Sequence, residues 1–254
     1  PKRIKILWLR RKFFTLMKLI WTYSPKLNRT KYISEEDMLK LYYNSIECGK
    51  SYHKTCVYTD SPEKFIGKVD EIITLPESFE IYFLDDIKFF VLQNEPPNYT
   101  LIDGDYFIDK PIEEVKEDIG IENYMPHSLA LLHYGKTNNI LEKNNVKDVI
   151  SYWESSRGYF NLGLLQIQNF KSTEFIEEYS KLKTFYQVNI EGIHLDRLKV
   201  TVEISLCQYL FTLFCFSRDI THKIIYHPSH IHLHGPGTID KENFLSSLKK
   251  KVLI

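Results

Sequence analysis

The sequence predicts an α/β fold, a mostly parallel sheet flanked by helices, and three observations point to it. Short apolar runs alternate with longer segments of helical character through the first half of the chain, the pattern of strand–helix–strand units that build parallel sheets. Residues that turn or stop the backbone stand between them: Ser24-Pro25, Gly49, Asp60-Ser61-Pro62 and Pro96-Pro97. Finally, 254 residues with 43% hydrophobic and 26% charged side chains suffice for a sizeable core and exclude general disorder.

Taken in order, residues 17–23 (MKLIWTY) form the first strand, a short apolar run halted at Ser24-Pro25. Ser34, followed by Glu35, Glu36 and Asp37, opens a helix. The hydroxyl can accept from a free N–H of the first turn, and the acids suit the positive end of the helix dipole. This helix is expected to run to about Cys48 and to stop at Gly49. Residues 55–59 and 71–75 are the second and third strands. Residues 82–94 form an aromatic-rich helix ended by Pro96-Pro97, and residues 99–102 a fourth strand running straight into Asp103-Gly104-Asp105. The second half is less regular. A helix is expected to start at 144–150, a strand lies within 159–168, helices cover 173–183 and 202–216, and a brief strand at 224–226 precedes a histidine-rich segment. The longest apolar stretch, Ile204 to Phe216, contains Ser205 and Gln208 and reads as a core helix, since a spanning helix needs about 18 uninterrupted apolar residues.

Lys plus Arg and Asp plus Glu both number 33, so the chain is not built to coat nucleic acid. The charge is nevertheless uneven. Residues 1–18 carry seven basic groups and no acid. Arg10, Arg11 and Lys12 beside Trp8, Phe13 and Phe14 suit peripheral contact with an anionic membrane, or equally a solvated extension. The stretch from Phe13 to Trp21 is not read as a secretory signal, because Lys18 interrupts it and no small-residue cleavage site follows. Four cysteines without a CxxC pair fit a reducing, cytoplasmic setting better than a disulfide scaffold.

Three short segments can carry chemistry. Asp103 and Asp105 stand two residues apart at a strand end, where ligands of parallel sheets gather. Their carboxylates can converge on one hard cation, Mn²⁺ or Mg²⁺, while Gly104 lets the backbone turn and a ligand approach. An Asp-Gly turn with solvated acids is the plain alternative. His227, His230, His232 and His234 form a candidate metal cluster, or a row of imidazoles satisfied by backbone carbonyls. Gly235-Pro236-Gly237 follows as a tight loop able to meet phosphate oxygens, or a mere turn. Asn161 and Gly163, in Tyr159-Phe160-Asn161-Leu162-Gly163, can set an amide and a bare backbone against a polyhydroxylated ligand, or can simply lead into a strand.

In this order the three segments resemble nucleotide-sugar glycosyltransferases of the GT-A fold, closest to the galactosyltransferase and glycogenin-like group. The resemblance implies that Asp103 and Asp105 bind Mn²⁺ and the diphosphate of a nucleotide-sugar, such as a UDP-sugar. It implies that Phe160-Asn161-Leu162-Gly163 contacts the donor sugar or acceptor, and that His232, in His232-Leu233-His234-Gly235, is the third protein ligand of the metal. The first strand would line the base and ribose through Trp21 and Tyr23, although aromatics there are commonly core, and Asp60 would do so from the second strand's end, although it also suits a turn. Glu203 would be the acidic residue after the Asn-x-Gly strand, although a first-turn glutamate also follows from the helix dipole. The chain departs from the family after the late histidine, with Pro236-Gly237-Thr238 where a lysine and tryptophan are usual and Lys241 the nearest lysine. The resemblance implies retaining transfer to a glycan, lipid or protein acceptor. It divides the chain into a basic extension, 1–16, and one catalytic domain, 17–254, with a nucleotide half (17–110) and an acceptor and sugar half (111–254). The competing readings are a metal-dependent nucleotidyl or phosphoryl transferase, which would hold two metals, and an inactive sugar-nucleotide-binding module.

Overall fold

A computed structural model describes residues 17–27, 34–126, 158–189 and 199–232. Its centre is a seven-stranded sheet of β1 (Lys18–Tyr23), β2 (Lys54–Thr59), β3 (Glu71–Thr74), β4 (Tyr99–Ile102), β6 (Ile119–Pro126), β7 (Gly158–Ile167) and β8 (His222–Ile224), in the order β3-β2-β1-β4-β7-β6-β8. The first four strands of that order are mutually parallel. β7 runs antiparallel to both its neighbours, and β8 is parallel to β6. The expected mostly parallel α/β sheet is therefore present. A two-stranded ribbon of β5 (Tyr106–Phe107) and β9 (Ile231–His232) sits apart from it.

Alternation along β1 and β2 divides the core between the two faces of the sheet. Leu19, Trp21, Tyr23 and Val57 pack with Ile46 of α1 (Glu35–Lys50). Ile20, Cys56 and Tyr58 point the other way, into a cluster shared with α2 (Asp86–Asn94), α3 (Ser172–Asn189) and α4 (Lys199–Ser217). The segment read as a core helix is α4, with Cys207, Phe211 and Cys215 fully buried. No helix among the described residues is long and apolar enough to cross a membrane.

Several boundaries differ from expectation for local reasons. Ser34 caps α1 through its side chain, but Gly49 does not stop the helix. It lies in the last turn, where a Cβ would sit 2.6 Å from the Trp21 ring, so the glycine serves close packing. Helix α2 starts at Asp86 rather than at 82, because the Asp86 carboxylate accepts from the backbone N–H groups of Tyr82 and Phe83 and holds that stretch as a turn. Helix α3 runs on to Asn189, and β8 begins at His222, two residues ahead of its expected start. The Asp118 carboxylate fixes that start by binding the N–H and hydroxyl of Thr221. Strand β6 was not expected, because Glu122 and Asn123 break its apolar pattern. The helix start expected at 144–150 and the extension 1–16 lie outside the described residues.

Candidate functional site

The site begins where β4 ends. The Asp103 N–H donates to the Gly163 carbonyl at 2.9 Å, continuing the β4–β7 ladder by one rung, and the Tyr106 N–H donates to the Asp103 carbonyl at 3.1 Å. The chain thus turns tightly over Gly104, where a Cβ would come within 2.2 Å of the Tyr42 ring. Only glycine fits that approach. The chain beyond is pinned from below: Trp21 Nε1 donates to Ser45 Oγ at 2.9 Å, and Ser45 Oγ donates to the Tyr106 carbonyl at 2.5 Å. β5 then pairs with β9 so that Tyr106 stands opposite His232. This rung carries an imidazole from far along the chain to the two aspartates.

Asp103, Asp105 and His232 each offer one ligand atom, and these atoms all lie within 4.8 Å of one another. His232 Nε2 is 3.5 Å from Asp105 Oδ1 and 3.9 Å from Asp103 Oδ2. Two carboxylate oxygens and one imidazole nitrogen suit a divalent cation, whose remaining positions oxygens of a ligand can fill. The donor set therefore fits a single divalent ion. On its other side, His232 Nδ1 lies 2.9 Å from both carboxylate oxygens of Glu122. Burial alone would lower the His232 pKa, but hydrogen bonds to Asp105 and Glu122 and their negative charge overcome it and lift it to about 10.

A buried cation orients the first aspartate. Lys88 Nζ lies 2.6 Å from Asp103 Oδ1 and 3.1 Å from Asp85 Oδ1, and donates to the Leu162 carbonyl at 3.1 Å. Burial would lower its pKa, yet the carboxylates of Asp103 and Asp85 hold it above the ordinary lysine value. Burial raises the pKa of the Asp85 carboxyl.

The Phe-Asn-x-Gly segment shapes the other wall. Between the rungs Ile121–Leu165 and Asn123–Asn161, β7 carries Leu162, Gly163 and Leu164 while β6 carries only Glu122. The ladder is interrupted there, which frees backbone groups and turns side chains aside. Asn161 Oδ1 accepts from the Gly163 N–H at 2.9 Å, and Lys88 takes the Leu162 carbonyl. A Cβ on Gly163 would sit 2.3 Å from His232 Cε1 and 2.7 Å from Glu122 Oε2. The motif thus makes room for the imidazole and satisfies the backbone it disrupts.

The remaining predicted residues lie as follows. Trp21 and Tyr23 are fully buried in the core, Trp21 bonded to Ser45 and Tyr23 donating to Glu35 Oε1 at 3.2 Å. Asp60 closes the β1 and β2 ends, accepting from Ser24 Oγ at 2.9 Å beside Lys26. Glu203 is buried on α4 and accepts from the Tyr186 hydroxyl at 2.8 Å, and it is not part of the group around Asp103. Of the histidines, His230 is buried with Nδ1 3.3 Å from the Tyr106 hydroxyl, and His227 Nδ1 accepts from the Ser229 N–H. His234 and Gly235 lie outside the described residues. Sequence reasoning missed Lys88, Asp85 and Glu122. Lys88 and Asp85 are spaced i, i+3, which a search for charge pairs at the start of a helix could have found, whereas Glu122 carried no local signal.

Fold and site together define a mostly parallel α/β protein in which Asp103, Asp105 and His232, a group that could hold a metal ion, meet at the carboxyl end of β4. No protein-family model matches the chain, and no curated protein matches it in sequence. Among solved structures it is similar to the inositol-1-phosphate CTP transferase from T. maritima, with TM-score 0.47, 11% identity, and coverage of 93% of this chain and 96% of that one. It is also similar to mouse xyloside xylosyltransferase 1 in its apo form (TM-score 0.38, 12% identity, 83% and 84% covered). A third is 4-diphosphocytidyl-2C-methyl-D-erythritol synthase from Anaerococcus prevotii (TM-score 0.37, 14% identity, 93% and 96% covered).

Proposed function

We propose that the chain is a metal-dependent glycosyltransferase that moves a sugar from a nucleotide-sugar, a UDP-sugar first among them, to a glycan, lipid or protein acceptor with retention of configuration. The observation that carries this reading is the convergence of Asp103, Asp105 and His232 at the carboxyl end of β4. When held by Asp103, Asp105 and His232, Mn²⁺ or Mg²⁺ would act as a Lewis acid that stabilises the charge developing on the leaving group. The chain's own part is to hold that geometry. Lys88 fixes Asp103, the β5–β9 rung sets His232 beside Asp105, and Gly163 leaves the wall bare where the ring stands. The nucleotidyl or phosphoryl alternative calls for a second metal. Among the described residues, Asp103, Asp105 and His232 form the group able to hold a metal, and the number of ions bound separates the two chemistries.

A thermal-shift screen against UDP-, GDP- and CMP-sugars, with and without Mn²⁺, tests the reading. Stabilisation by one nucleotide-sugar only when Mn²⁺ is present, with metal-dependent donor hydrolysis that Asp105→Ala abolishes in a folded protein, supports it. Undiminished hydrolysis in Asp105→Ala refutes it. The basic segment 1–16 is proposed as a peripheral membrane contact, and its deletion should reduce binding to anionic vesicles.

A further inference from the structure

Glu122 stands behind the imidazole of the Asp103, Asp105 and His232 group, on the side away from the two aspartates. It lies on β6, 1% exposed, at the point where the β6–β7 ladder is interrupted. Both its carboxylate oxygens are 2.9 Å from His232 Nδ1, while the ring's other nitrogen is the one directed at Asp103 and Asp105. Gly163 leaves room for this pair, since a Cβ there would strike both the imidazole and the carboxylate. A buried carboxylate is costly unless it is paired, and the local backbone is distorted around this pairing.

We propose that Glu122 is the positioning residue of the metal-binding imidazole. It accepts the Nδ1–H of His232, so that the Nε2 lone pair points to the site of the cation, and its charge behind the ring strengthens that lone pair as a ligand. A carboxylate that holds a ligating imidazole by its other nitrogen fixes both tautomer and ring orientation. The inference rests on the metal reading of the Asp103, Asp105 and His232 group and adds to it a fourth residue that touches no metal. It also accounts for an acidic side chain buried on an interior strand of the sheet.

The test is a Mn²⁺ titration of the full chain, by calorimetry and by the electron paramagnetic resonance signal of free Mn²⁺, without donor. Glu122→Ala should weaken Mn²⁺ binding by about 10- to 100-fold. Glu122→Gln, which keeps the shape and one acceptor but not the charge, should fall between Glu122→Ala and the parent chain and guards against misfolding as the cause. Adding Glu122→Ala to His232→Ala should cost nothing further, because the carboxylate acts through the ring. Parent affinity in both Glu122 variants, or a full additional loss in the His232→Ala background, overturns the role of Glu122 while leaving the metal site intact. Absence of Mn²⁺ binding by the parent chain overturns the metal reading and this inference together.

Discussion

Replacing Lys88 by methionine removes a charge that the interior depends on, and the structure sets the size of the effect. The lysine and Asp85 side chains are 8% and 6% exposed, while Asp103 is 31% exposed. Removing one partner of a buried ion pair costs about 3–5 kcal/mol, because the other charge is left uncompensated. Here Asp103 keeps access to water and Asp85 can take up a proton, so the low end, about 3 kcal/mol, is expected. For a chain of this size that corresponds to a Tm lower by roughly 6–12 °C. Urea unfolding followed by circular dichroism gives the free energy, and a scanning calorimeter the Tm. The double variant Lys88→Met/Asp85→Asn should recover about half of the loss, because it removes the more deeply stranded charge. A single variant within about 0.5 kcal/mol of the parent, or a double variant less stable than the single one, would refute the reasoning.

Other consequences follow from the same geometry. Gly163→Ala forces a Cβ against His232 and Glu122 and should both lower Tm and weaken Mn²⁺ binding at least tenfold, about the loss that a displaced ligand neighbour brings; the two are read in one pair of titrations. Asn161→Ala strands the buried Gly163 N–H and should destabilise the fold by about 1–3 kcal/mol in urea. The pKa of Asp118 is held below its usual value by the Thr221 hydroxyl, against the opposing effect of burial, and by the Thr221 N–H. A depressed folded pKa contributes stability that is present above the unfolded value of about 3.9 and is lost as pH falls through the folded one. Asp118→Asn should therefore flatten the stability profile below about pH 4, as measured by urea midpoints across pH, and leave its slope near neutrality unchanged.

Much of the architecture was legible because apolar periodicity and punctuation are local. The runs 17–23, 55–59, 71–75 and 99–102 became β1 to β4, and Ser34 capped its helix as the hydroxyl-then-acid pattern implies. The Asp103-Gly104-Asp105 turn lay at the end of a strand, and His232 of the histidine-rich segment reached it. What stayed hidden depended on distant partners. Gly49 looked like a stop but serves contact with Trp21, which is 28 residues earlier in the chain. Trp21 itself is spoken for by Ser45, which no local pattern announces. β6 was invisible because Glu122 and Asn123 interrupt the apolar run that marks a strand covered on both faces, and the carboxylate is there to meet a ring 110 residues away. The i, i+3 pair Asp85 and Lys88 was visible in principle, but its link to Asp103 exists only through packing.

The most direct test of the central claim is the stoichiometry of Mn²⁺ bound by the intact chain in the presence of UDP. One ion per chain is predicted, lost in both Asp105→Ala and His232→Ala while circular dichroism shows each variant folded. Retention of that ion at parental affinity in both variants would contradict the account.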